Sequence, residues 1–421
     1  MKNIFAEILT IGDEILYGQI TDTNSKFISQ ALDQIGIKVK RMTSIGDEES
    51  EILEALAEAE KRVDIVLITG GLGPTKDDIT KKTLTQFFDT ELVEHPEALK
   101  MITDYFERRK RVLPDNLRQQ AMMPENCEVL FNRLGTAPAM WFNRGGKAFV
   151  SMPGVPQEME ILIDEMVIPK IKTFFKTPVI YHKVIRTFGA GESMLSQVIE
   201  QWEDNLPSNL KLAYLPTWGE VKLRITAIGP DRATLETQVE EEIQKVVPLI
   251  QKYIYGYDRD ELESIVGDLL KEQGKTISTA ESCTGGFIGH LITKIAGSSA
   301  YYEGGVISYS NAIKMSQLGV PSETLDEHGA VSEETIIAMA EGVRKRFNTD
   351  IGVASSGVAG PGGGSPDKPV GTVWIAYSDG VKTSTRKLSL TTDRLINIRM
   401  TSYIVLDLIR RKLSHNEEVE G

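Results

Sequence analysis

Cysteine is almost missing from this chain: Cys127 and Cys283 are the only two in 421 residues, and no CxxC occurs. That excludes a disulfide framework and a cysteine zinc site, and it fits a reducing compartment. Histidine is also scarce, and His95, His182, His290, His328 and His415 form no pair at the helical spacing of a metal site. There is no basic excess either. Sixty acidic residues face 47 basic ones, a formal charge of -13, so no global field draws in a polyanion and nucleic acid is not the expected partner. Long apolar runs are absent. The opening MKNIFAEILTIGDEIL carries Glu7, Asp13 and Glu14, so it reads as neither signal peptide nor membrane anchor. The expectation is a cytoplasmic protein with no membrane partner.

What is present is ordinary globular material, 41% hydrophobic and 25% charged. Its length exceeds what one core supports, so two or three domains are expected. Over residues 1–175, β-type runs alternate with helical periodicity. AEILTIG is followed by a helix with Phe27, Ile28, Ala31, Leu32 and Ile35 on one face, then KVKRMTSIG, a helix over Glu51 to Val63, and the apolar run DIVLITGG. This predicts a doubly wound α/β domain. After Lys176, Thr177 and Pro178, a small α+β piece over 176–257 has VIYHKVIRTFG and VKLRITAIG as strands, and reads as a connector or dimerising module. A second α/β domain covers 258–413, with KTISTA, IGVASSG and GTVWIAY as strands, and the tail is 414–421.

Four segments of the last domain carry chemistry. In TAESCTGGFIGHL a strand ends in a small-residue turn that opens a helix, leaving N–H groups and a positive dipole end for a phosphate or an oxyanion. Gly285 and Gly286 allow close approach, and the hydroxyls of Ser282 and Thr284 lie at the same turn, where the plainer role of either is an N-cap. In GGVISYSNAIK, Tyr309 and Lys314 fall on a strand end and the turn after it; packing and a solvated charge are their ordinary uses. SSGVAGPGGGS, with Ser356, Gly357, Gly360, Gly362 and Gly363, is either an anion-binding nest or a linker. TTDRLINIRM offers Arg394 and Arg399, one of which could clamp a phosphate.

These four segments, in this order between about Asp258 and Leu413, closely resemble the CinA C-terminal domain, a family of nicotinamide mononucleotide deamidases. The resemblance implies Ser282 as nucleophile on the carboxamide carbon, with Tyr309 and Lys314 activating it and carrying the proton to departing ammonia. Lys314 can be a base near neutral pH only if burial or a nearby cation lowers its pKa, so it should be desolvated. The helix start and glycine loop would supply oxyanion donors and hold the phosphate, helped by Arg399 or Arg394, with no cofactor. Cys283 is a rival nucleophile on chemical grounds; the family pattern favours the serine.

In the first domain, acids gather at strand ends: Asp13, Glu14, Asp22, Asp77 and Asp78. Ligands of open α/β sheets bind there, and Gly70, Gly71 and Gly73 clear room for phosphate. Such oxygen donors suit magnesium or manganese, although caps and turns also use acids, and Asp22 in particular reads as a cap. GDEILYGQITDTN, TGGLGPTKDDIT and MPGVPQEM resemble the MoaB-type, molybdopterin-binding-like domain of CinA proteins over about residues 4 to 170. That resemblance implies metal-dependent hydrolysis of ADP-ribose, with Asp77, Asp78, Asp13 and Glu14 at the metal, Thr75 and the three glycines at the substrate, and Gly154 and Glu158 on the rim. It also implies a homodimer. The middle piece corresponds to a KH-like segment without a GxxG loop, Gly189-Ala190-Gly191-Glu192 being the nearest match, so RNA is not its expected ligand. The competing class is a molybdopterin-type binding protein associated with competence, whose DNA binding would weaken steeply with salt.

Overall fold

Central strands buried on both faces decide the first sheet. The structure, a computed structural model, describes residues 4–73, 75, 78–110, 114 and 118–414. Eight strands occur in the first part: β1 (Phe5–Ile11), β2 (Lys38–Ile45), β3 (Ile65–Thr69), β4 (Leu92–Glu94), β5 (Met122–Pro124), β6 (Glu128–Leu130), β7 (Ala139–Arg144) and β8 (Lys147–Met152). Six of them form one sheet in the order β2-β1-β3-β8-β7-β6, in which β2, β1, β3 and β8 are parallel. Ile65 and Leu67 of β3 enter one apolar cluster, with Ile28 and Leu32 of helix Thr23–Asp33. Val66 and Ile68 enter the other, with Ile52 and Leu56 of helix Glu49–Arg62. Coverage on both faces is why DIVLIT has no polar side, and the domain is doubly wound as expected.

The second part contains β9 (Val179–Phe188), β10 (Leu210–Pro216), β11 (Glu220–Gly229) and β12 (Ile254–Tyr257), paired as β10-β11-β9-β12. It continues with β13 (Ile277–Glu281), β14 (Tyr302–Ile307), β15 (Ile351–Gly357), β16 (Thr372–Ser378) and β17 (Thr383–Ser389), paired as β14-β13-β15-β16-β17. Here Val353 and Ile375 face helices Leu262–Glu272, Phe287–Thr293 and Arg394–Leu413, whereas Ala354 and Ala376 face helix Glu333–Phe347.

The chain forms two compact units, residues 1–181 with 227–236 and residues 182–226 with 237 onward. Most of the connector therefore belongs to the second unit: Phe188 and Tyr255 lie in the same apolar cluster as Ile277 and Val373. Among the described residues no helix is long and apolar enough to cross a membrane.

Candidate active site

Strand order explains why four distant segments meet. Since β13, β14 and β15 are parallel, β16 returns antiparallel and β17 reverses again, the residues after β13, β14, β15 and β17 all emerge at one sheet edge. Ligands of open α/β sheets collect at that edge.

Ser282 follows β13 directly, and its N–H donates to the Ser355 carbonyl on β15 at 2.9 Å. Helix Asn311–Leu318, capped by Ser310 through the Ile313 N–H, carries Lys314 back over the sheet. Lys314 Nζ lies 3.1 Å from Ser282 Oγ and 2.7 Å from the Ser308 carbonyl oxygen. The side chain is 1% exposed, and burial lowers its pKa, Cys283 opposing. Both partners are neutral oxygens. The expected desolvation is there, but the expected location is not, because Lys314 sits inside a helix rather than in a turn after a strand. Cys283 is buried, and burial pushes its thiol up to about 12, so it stays protonated at neutral pH.

Tyr309 is placed differently from the expectation. It is 61% exposed, and its phenol accepts from Arg394 Nη2 at 3.0 Å rather than touching Ser282 or Lys314. The helix that starts at Asn311 separates the two residues: Lys314 turns inward and Tyr309 stays at the rim. Arg394 Nη1 also donates to the Gly360 carbonyl at 2.8 Å, which ties the glycine loop to the tyrosine. Arg399, five residues along the same helix, is rotated by roughly 140° and lines a different cavity. Only Arg394 belongs to this rim.

The turn offered to an external anion is filled from within. Glu281, 2% exposed, accepts the N–H groups of Gly286 and Ile288 at 3.0 Å, that of Gly289 at 2.8 Å and the Thr284 hydroxyl at 2.7 Å. Charge-assisted bonds at a helix start hold this carboxylate in place of a phosphate. The Thr284 hydroxyl is therefore taken up within the fold, shared between Glu281 and Ser355, which leaves its backbone N–H as the group it could offer a ligand. Gly285 and Gly286 adopt left-handed φ of 63° and 101° to make the turn, and beside Gly285 the space is open. Replacing Glu281 by glutamine turns an N–H donor onto these donors. Thermal and urea unfolding should show a loss of about 2–3 kcal/mol.

The glycine loop also divides by role. Ser356 is buried and donates to the Ala330 carbonyl at 2.6 Å, and a Cβ at Gly357 would meet Val373 at 2.6 Å, so both serve packing rather than ligand. Gly362 and Gly363 are exposed and remain free to approach one. Sequence reasoning passed over Glu281, Ser308, Ser355 and Asn397. Asn397, buried in the last helix, donates to the Ala359 carbonyl at 2.9 Å and accepts from the Thr391 N–H at 3.0 Å, which fixes the loop against Arg394.

In the first unit a cavity of 780 Å³ opens at the carboxyl ends of β1, β3 and β8, lined by Glu14, Gly70, Gly71, Gly73, Asp78, Gly154 and Glu158 among others. The glycines are there for close packing within the fold: a Cβ on Gly70 would meet the Ile11 carbonyl oxygen at 2.1 Å, and one on Gly71 the Thr80 hydroxyl at 2.0 Å. Asn24 spans Thr69 Oγ1 and the Gly154 carbonyl at 3.0 and 2.8 Å. Its Oδ1, like Gln120 Oε1, is buried without a partner. Both residues line the cavity.

Of the proposed metal ligands, Glu14 and Asp78 line this cavity and Asp13 does not. Asp78 accepts from the N–H groups of Gly73 and Thr75 at 2.7 and 2.8 Å and from the Thr75 hydroxyl, so Asp78 and Thr75 close the turn upon each other. Asp13 is outside the lining, with its N–H on Asp47 at 3.2 Å. Asp22 caps its helix through the Ser25 N–H at 2.9 Å, as expected. Asp77 lies outside the described residues. Among the described residues no three His, Cys, Asp or Glu side chains gather as a cation site. Burial raises the Glu158 carboxyl, against a hydrogen bond from Asn132.

Together these features define a class: a doubly wound domain of the molybdopterin-binding type joined to an α/β domain with a buried lysine on a serine. Family models agree with this division. "Probable molybdopterin binding domain" matches residues 7–173, "Damage-inducible protein CinA KH domain" residues 182–256 and "CinA C-terminal domain" residues 259–413. A CinA-like protein of Cytophaga hutchinsonii is 53% identical over 98% of this chain and 98% of its own, and one of Flavobacterium psychrophilum is 47% identical over 89% and 90%. The crystal structure of a competence-damaged protein (CinA) superfamily member from Klebsiella pneumoniae covers 37% of this chain and 96% of its own at 34% identity, with a TM-score of 0.36. The chain belongs to the CinA family.

Proposed function

We propose that the C-terminal domain hydrolyses nicotinamide mononucleotide to nicotinate mononucleotide and ammonia. The observation that carries this reading is the 3.1 Å contact between Ser282 Oγ and a buried lysine amine whose other partner is a carbonyl. The Ser308 carbonyl takes one N–H of the neutral amine and leaves its lone pair to Ser282. As Oγ attacks the carboxamide carbon, its proton passes to Nζ. The tetrahedral oxyanion falls to the N–H groups of Cys283 and Thr284, next to the serine, because Glu281 holds the later ones. Collapse expels ammonia with the proton from Nζ, and water releases the acyl group by the reverse proton path. Arg394 and Tyr309 at the rim hold the nucleotide's phosphate. Incubation of the protein with nicotinamide mononucleotide and mass spectrometry of the products tests the reading; intact substrate would overturn it.

For the N-terminal domain the proposal is hydrolysis of ADP-ribose to AMP and ribose 5-phosphate with a divalent metal. Its support is the 780 Å³ cavity at the strand ends, with the unpartnered Asn24 and Gln120 oxygens as acceptors for ribose or base donors. The engaged Asp78 favours a second reading, a binding domain without catalysis. One assay separates them. AMP should form from ADP-ribose with magnesium or manganese and not with chelator, whereas no product with any metal leaves the binding reading.

A further inference from the structure

A cavity of 380 Å³ with neither Ser282 nor Lys314 in its lining opens in the second unit, where the hairpin between β10 and β11 meets helices Phe287–Thr293 and Arg394–Leu413. Its lining mixes charged residues with aromatic ones, among them Trp218, Tyr255, Phe287 and Tyr403. Trp218 stands at the hairpin tip and is 61% exposed. The turn that places it is fixed by Gly219 at φ 76°, where an added Cβ would meet the Phe188 ring at 2.9 Å. A tryptophan held in water beside three other aromatic walls offers an uncovered face for stacking.

The charges around the cavity are mostly spent on one another. Arg186 pairs with Glu220 at 2.7 Å, and Lys294 sits between Glu261 at 3.2 Å and Glu263. Arg399 is the exception. It lines the same cavity, yet among the described residues it makes no hydrogen bond or ion pair. An exposed guanidinium with five donors, next to aromatic faces, selects an anion attached to a planar ring. The volume lies near the lower end for small-ligand sites, which suits one base, one sugar and one phosphate better than a dinucleotide.

We propose that this cavity is a mononucleotide site, with the base stacked on Trp218 and the phosphate on Arg399. It is separate from the Ser282 pocket, and the proposal does not depend on the deamidase reading. Its occupant would nevertheless touch two helices of that domain, because Phe287 begins the helix after the Ser282 turn and Arg399 follows Arg394.

AMP is the probe, titrated into the full chain without metal. The protein has four tryptophans, so Trp218→Phe identifies the signal that belongs to this site. A saturable change in emission is expected in the native chain and not in Trp218→Phe. Calorimetry should show AMP binding weakened about fivefold or more in Trp218→Ala, the range of a lost base–aromatic stack. It should also weaken in Arg399→Ala, whereas adenosine, lacking phosphate, should bind native and Arg399→Ala proteins alike. Unchanged melting temperatures show that the variants are folded. No saturable binding, or AMP binding that neither variant weakens and that therefore sits outside this cavity, would overturn the proposal.

Discussion

Ser282→Ala is expected to reduce ammonia release from nicotinamide mononucleotide by about a thousandfold or more, while Cys283→Ala stays within a few-fold of the native rate. The two side chains are adjacent, and both carry an atom able to attack a carbonyl. Their environments separate them. Ser282 Oγ is in contact with the Lys314 amine at 3.1 Å, whereas the Cys283 thiol is buried and pushed up to about 12, so its thiolate is absent at neutral pH. Removing the buried sulfur leaves a small cavity and should cost about 1 kcal/mol in unfolding experiments. Ammonia measured enzymatically on both variants, each checked by its melting curve, decides the matter. Undiminished turnover in the serine variant would transfer the chemistry elsewhere.

The doubly wound sheet was readable because β3 shows no polar face and the helices around it keep a regular apolar stripe, with Ile28 and Leu32 on one and Ile52 and Leu56 on the other. Such patterns are local, and burial on both faces enforces them. The Ser282 and Lys314 pairing was legible only through the ordered motifs that resemble CinA domains. Nothing in NAIKMSQL reports that its lysine faces the sheet until β14 and the helix after it are in place. Arg394 and Arg399 could have been told apart from helical period alone, since five residues turn a side chain well away from its neighbour. Glu281 was harder. Its role depends on the positive-φ turn at Gly285 and Gly286, which brings three N–H groups around a carboxylate that in sequence is only the last residue of a strand. Asp78 shows the same blindness in the first unit, where local turn bonds take up the acid expected at a metal.

Loss of the Lys314 amine should be nearly as damaging as loss of the nucleophile. Lys314→Ala is expected to lower kcat by about 10²–10⁴, and Lys314→Arg should fail to restore it, because a guanidinium keeps its proton. The pH dependence identifies the mechanism. Burial lowers the Lys314 pKa from 10.5, so the native rate should rise with pH as the amine loses its proton and level off above the folded-state value. Stability follows the same titration. Between the folded and unfolded values the unfolded chain binds more protons, so this residue's contribution to stability increases with pH across that interval. Below the folded value the cost of the buried charge is fully present, and above 10.5 it is gone. Lys314→Met cannot titrate, so the difference in urea-unfolding free energy between native and Met proteins should shift in favour of the native chain as pH rises. A native rate that is flat across the range, with Lys314→Arg as active as the lysine, would mean that the amine only donates a hydrogen bond to Ser282 and takes no proton from it.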